Sequence, residues 1–195
     1  MRSIGEFAIF VAMTETETTI KFKATLRRPA EPSGATWRFL VLPGTVSAKL
    51  PTRSMVTVDG TFGGQPFQAT LEPDGEGSHW LKVEKKLREA AGAEAGDTIE
   101  LAIAPVEKEP EPSVPPDLRK ALAAQPAAQA TWNDITPVAR RDWIHWITSG
   151  KKAETRVKRI DVACDKLATG SRRACCFDRS GMYSKGNMGA PKAAE

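Results

Sequence analysis

The sequence predicts an α+β protein: a small β-barrel with one short helix, then a helical module built around a helix hairpin. Three observations predict it. Six short stretches between residues 19 and 104 alternate apolar and polar side chains, the period of half-buried strands. A run of five prolines and three acids, PVEKEPEPSVPP at 105–116, then supports neither a helix nor a central strand, because proline lacks the amide donor and restricts its predecessor. Beyond it the apolar period becomes helical.

At 195 residues, 41% hydrophobic, 27% charged and with a mean hydropathy of −0.36, the chain has material for two small modules. The N-terminal segment MRSIGEFAIFVAM contains a short apolar run, but Glu6 interrupts it and no clear cleavage site follows. Residues 1–17 are therefore expected to be a disordered leader or the product of a misassigned start, with Met13 the true one. The strand candidates are TIKFKATL, TWRFLVLP, MVTVDGTF, QPFQATLEP, HWLKVE and DTIELAIA, which delimit a barrel domain over 18–104. Gly63-Gly64 supplies the positive φ of a tight hairpin, and KKLREAAG, ending at Gly92, is its one helix.

After the linker at 105–116, a helical module is expected over 117–170. Its first helix runs from Pro116 or Asp117 through Leu118 and Leu122 and ends before Pro126. The second starts at Thr136 as N-cap with Pro137 at the first helical position, and carries Val138, Trp143, Trp146 and Ile147 on one stripe. The third spans Ala153 to Ala168, with Val157, Ile160, Cys164 and Leu167 on its apolar face and Gly170 beyond its end. The two longer helices are expected to form a hairpin. Residues 171–195 show no period and read as a basic, mostly disordered tail.

Charge is divided unevenly between these parts. Residues 1–116 hold 13 Lys and Arg against 16 Asp and Glu, whereas 117–195 hold 15 against 8. Such clustering attracts anions without supplying a bond-making group. Lys151, Lys152, Arg156 and Arg159, with Arg140 and Arg141, are the candidate surface for an anionic protein or surface; the competing reading is a solvated helix face. Trp143, His145 and Trp146 beside Arg140 and Arg141 could stack on nucleic-acid bases, although the spacing of the tryptophans also suits a core, with His145 exposed. Trp37, Phe39, His79 and Trp80 are the candidate lining of a barrel pocket.

No metal, cofactor or catalytic residue is expected. His79 has no second ligand nearby, Cys164, Cys175 and Cys176 lack CxxC spacing, and no phosphate-loop, dinucleotide, GxSxG or HExxH motif occurs. An odd count of three cysteines, two of them adjacent, suits a reducing cytoplasm better than a disulfide scaffold. No apolar run approaches the ~20 residues that span a bilayer.

Two stretches carry a resemblance. FKATL, ATWRFLVLP, AKL and VTVDGTFGGQPFQATLEPDGEGSHWLKVEKKLREAAGAEAGDTIEL, in that order, resemble the bacterial domain of unknown function DUF1905, which precedes a YdeI/OmpD-associated module. PPDLRKALAAQP and ITPVARRDWIHWITSGKKAETRVKRIDVACDKLATG resemble that second module, so that roughly residues 18–180 are covered. One departure is Gly150, where such proteins carry alanine before the double lysine. The resemblance implies a double-split β-barrel related in shape to AbrB-type transcription factors, and no catalytic residues. It further implies a non-enzymatic cytoplasmic accessory protein linked to stress or to antimicrobial-peptide and bacteriocin resistance. The alternatives are a nucleic-acid-binding protein with an AbrB-like barrel, which a homodimer would suit, and a small-molecule-binding barrel or uncharacterised enzyme.

Overall fold

The computed structural model describes residues 19–150, 152–174 and 189–194. The expected leader, Lys151 and most of the tail lie outside them. All six strand candidates form strands: β1 (Ile20–Thr25), β2 (Arg38–Val41), β3 (Val56–Phe62), β4 (Gln65–Pro73), β5 (His79–Val83) and β6 (Thr98–Pro105). They make one antiparallel sheet in the order β1-β6-β3-β4-β5-β2. A bridge between Arg27 and Phe39 draws its two outer strands together, so the sheet curls into a half-barrel. Alternation sets the two faces: Ile20, Phe22 and Ala24 point into the apolar interior while Lys21, Lys23 and Thr25 face solvent.

The interior is filled by Leu26, Leu40, Val58, Phe62, Leu71, Val83 and Leu101, each fully buried. Gly63 and Gly64, at φ 54° and 81°, make the β3–β4 turn as the sequence predicts. Gly60 answers to a different constraint. A Cβ built there would lie 2.1 Å from the Ala102 carbonyl oxygen of β6, so this ladder closes only because position 60 has no side chain. The expected helix is present as α2 (Lys85–Ala90), and one further turn, α1 (Gly44–Ser47), follows β2.

The second module holds four helices: α3 (Pro116–Ala123), α4 (Pro126–Asp134), α5 (Pro137–Thr148) and α6 (Ala153–Ala168). The sequence reading did not contain α4, because Pro126 looked like a stop. At the first position of a helix the missing N–H has no partner to lose, so the same proline opens α4, which buries Ala128 and Trp132. α6 lies chiefly against α4 and also touches α5 and α3, so the hairpin is one face of a four-helix cluster. Thr136 caps α5 as predicted, its Oγ1 accepting from the Ala139 amide at 3.3 Å. Ala139, Trp143 and Ile147 form the buried stripe of α5, whereas Val138 and Val157, expected on apolar faces, are 42% and 59% exposed.

The end of the chain returns to the barrel. Pro29 bridges Ala193, the Ala30 amide donates to the Lys192 carbonyl at 2.8 Å and the Ala190 amide to the Asp74 carbonyl at 3.0 Å. Residues 189–194 are thus held against the sheet, contrary to the expectation of disorder for this last piece of the tail.

Candidate functional site at the seam between sheet and helices

Alternation on β3 and β4 turns Thr57, Thr70 and Glu72 away from the barrel interior, and on this outer side α5 presents Arg141 and His145. Arg141 is the centre of a bonded node. Its guanidinium donates to Glu109 Oε1 at 2.8 Å, to Thr57 Oγ1 and the Met55 carbonyl at 3.3 Å, and to Asp142 Oδ1 at 3.2 Å. Thr57 Oγ1 donates to the same Glu109 oxygen at 2.7 Å. With 13% and 11% of their side chains exposed, Arg141 and Glu109 form a largely desolvated pair joining helix, linker and sheet. Burial pushes the Asp142 carboxyl up, and Arg141 partly offsets it.

Arg140 works one residue earlier on the same helix. It donates to the carbonyls of Trp132, Asn133 and Ile135 at 2.9, 3.0 and 2.8 Å, closing the C-terminal end of α4, and to Glu111 at 2.6 Å. The proline-broken linker is therefore pinned by two of its acids rather than hanging free.

Glu72 and His145 complete the seam. Glu72 Oε2 and His145 Nε2 are 3.9 Å apart, with 28% and 17% of their side chains exposed. Burial raises the Glu72 carboxyl to about 7, with Lys82 pulling the other way. Burial lowers His145 to about 4, and the nearby Arg141 charge adds to it. His145, expected at the surface, instead faces the sheet. Helical spacing puts it one turn from Arg141, and a sequence read one module at a time does not reveal that this side of α5 is covered.

The remaining cations of the expected anion-binding surface are also engaged. Arg156 grips Asp117 of α3 through two bonds of 2.6 and 3.0 Å, which hold the Asp117 carboxyl down at about 2. Arg159 donates to Ser149 Oγ at 2.7 Å and to the Trp146 carbonyl, and lies over the Trp146 ring at 5.2 Å. Of the six residues of that surface, only Lys152 is exposed and without an ion pair among the described residues; Lys151 lies outside them. The exposed side of α6 carries Glu154, Asp161 and Asp165 beside Lys158, and Glu154 forms no ion pair with it. Among the described residues the hairpin presents no single basic face: the arginines flank the apolar stripe and turn inward to close helix contacts. Gly150 assists the tight entry to α6, since a Cβ there would sit 3.1 Å from Thr155 Cγ2.

Three members of the aromatic quartet, Phe39, His79 and Trp80, are buried. Phe39 is 1% exposed and packs edge-on against Trp80 at 6.3 Å. His79 is fully buried: its Nε2 donates to the Ser54 carbonyl at 2.8 Å, which leaves Nδ1 to accept from Ser47 Oγ at 2.6 Å. This serine and histidine, on α1 and β5, form a sealed structural bridge, not a reactive pair. Trp37 alone is partly accessible, with Lys82 Nζ 5.3 Å above its ring. Among the described residues, no three His, Cys, Asp or Glu side chains gather in a way that could hold a metal ion.

With this geometry in hand, similarity to known families fits both halves. Residues 22–103 match a domain of unknown function, DUF1905, and residues 111–170 match the family described as bacteriocin-protection, YdeI or OmpD-associated. The chain is a YdeI/OmpD-associated family member with an N-terminal DUF1905 domain. The first match spans the curled sheet, and the second begins at Glu111, inside the linker, and covers all four helices. No curated protein matches the chain. No helix among the described residues is long and apolar enough to cross a membrane.

Proposed function

We propose that this protein is an accessory factor in bacteriocin or antimicrobial-peptide resistance that acts by docking rather than by catalysis, and that the docking body is the joined pair of modules. The family description supplies the resistance. The observation that carries the rest is the Arg141 node, in which one helix side chain holds Glu109 of the linker together with Thr57 and Met55 of the sheet. Such a node costs solvation at both charges and has value when the two surfaces must be presented in one fixed arrangement.

Contact with an anionic partner then falls to Lys152, the N-cap of α6, with Lys151 beside it in the sequence. With Glu154, Asp161 and Asp165 exposed further along the helix, this contact is a local pairing and not a broad basic field. The test is survival of a bacterial host challenged with a cationic bacteriocin, with and without the chain. Protection is expected from the natural sequence, reduced protection from Arg141→Ala, and reduced protection with unchanged stability from the double variant Lys151→Glu, Lys152→Glu. Equal survival of cells with and without the chain would overturn the resistance reading. Full protection by the lysine variant would overturn the contact surface.

A further inference from the structure

Glu72 and His145 stand out among the charged groups of the seam. Arg140, Arg141 and Glu109 each have hydrogen bonds of ordinary length. Among the described residues His145 Nε2 has no hydrogen-bond partner, and Glu72 Oε2 meets it at 3.9 Å, beyond hydrogen-bond reach. They belong to different modules, β4 and α5, and Glu72 sits in register with the buried Trp80 of the neighbouring strand. The cations that face them are committed elsewhere. Lys82 of β5, which acts on Glu72, is paired with Glu84 at 2.7 Å; Arg141 of α5, which acts on His145, is held by Glu109 and Asp142.

We propose that Glu72 and His145 hold one proton between them and form a proton-operated latch across the seam. With that single proton the pair carries no net charge, whichever group holds it, and the two modules close on each other without a bare charge between them. Loss of the proton leaves a carboxylate with no donor among the described residues; arrival of a second leaves an imidazolium beside Arg141. Either charge is desolvated where it stands, and the contact loosens. The shifted acidities bracket the closed range, since Glu72 gives up its proton near 7 and His145 takes a second near 4.

The two groups act on folding in opposite directions. Glu72, raised above its ordinary 4.5, contributes stability that is present below that value and lost as pH rises towards 7. His145, lowered from 6.5, contributes stability that is present above that value and lost as pH falls towards 4. Between 4.5 and 6.5 the two slopes cancel, so the intact pair is silent in a pH profile and each single variant unmasks the other group.

Urea unfolding of the whole chain at pH 4.5, 5.5 and 6.5 tests this, with the natural sequence beside Glu72→Gln and His145→Gln. The folding constant of Glu72→Gln is expected to fall about tenfold per pH unit on acidification, and that of His145→Gln about tenfold per unit on going alkaline. Subtracting the natural protein's own profile removes the contribution of all other groups. Carbon-13 titration of the natural protein gives a second reading that needs no variant: the Glu72 carboxyl should titrate near 7 and the His145 ring near 4, the reverse of their ordinary order. Single, independent titrations near 4.5 and 6.5 would overturn the latch, as would variants whose profiles run parallel to the natural one.

Discussion

Replacing Arg141 by alanine removes the side chain at the centre of the node that joins helix, linker and sheet. Glu109 keeps the Thr57 hydroxyl but loses its only ion-pair partner among the described residues, and with 11% of its side chain exposed it cannot recover hydration without moving the linker. Breaking a pair of this kind leaves an uncompensated charge, which costs ~3–5 kcal/mol when burial is complete. The residual exposure of both partners places the expected loss near the lower end, at about 3 kcal/mol. The control is Glu109→Gln combined with Arg141→Met, which replaces the pair by groups of similar size and removes both of its charges. This double variant is expected to lose about 1 kcal/mol, less than either single change, because the desolvation cost disappears with the charges. Urea unfolding by linear extrapolation, at low and high salt, measures the four corners of the cycle (the natural sequence, Arg141→Met, Glu109→Gln and the double variant), with Arg141→Ala beside them. A loss below about 1 kcal/mol for Arg141→Ala, or a double variant as unstable as the sum of the singles, would refute the reasoning.

Gly60→Ala should destabilise the barrel by about 3 kcal/mol, within the range for overpacking, because the new Cβ would meet the Ala102 carbonyl at 2.1 Å; thermal unfolding checks it. Thr136→Ala should cost about 1 kcal/mol through loss of the bond to the Ala139 amide, while Thr136→Ser should be nearly neutral in the same measurement. Asp117→Asn should remove a contribution that is present above pH 3.8 and lost as pH falls through about 2, since Arg156 lowers the folded-state value. With 44% of the Asp117 side chain exposed, that contribution is at most about 1 kcal/mol, read as the difference between acid-unfolding profiles.

Strand positions were legible because alternation on a curled sheet is a local signal. Ile20, Phe22 and Ala24 face inward for the same reason that Lys21 and Lys23 face outward, and no distant contact is needed to assign them. Helix α5 was legible through Thr136 and Pro137. Helix α4 was not, since Pro126 carries the same letter whether it stops one helix or starts the next, and only the burial of Trp132 decides. The seam was beyond any local reading. Thr57 and Arg141 lie 84 positions apart, and nothing in the pattern around either residue announces the other.

The charge imbalance between the halves was real, yet its meaning changed once the chain was folded. The linker acids Glu109 and Glu111 belong to the acidic first part by count, and Arg140 and Arg141 to the basic second part. The fold brings these four together, so part of the apparent surplus on each side is consumed inside the molecule. Arg156 and Asp117 repeat this within the helical module. Arginine suits these places because its planar fork satisfies several acceptors at once, as Arg140 does with three carbonyls and a carboxylate, whereas a lysine could not close the end of α4 in the same way. Charge counted along a sequence measures the field a chain could project only after such internal pairs are subtracted. Here the arginines of the helical module mostly serve the seam and the helix contacts, and of the six residues singled out as an anion-binding surface only Lys152 is exposed and without an ion pair among the described residues.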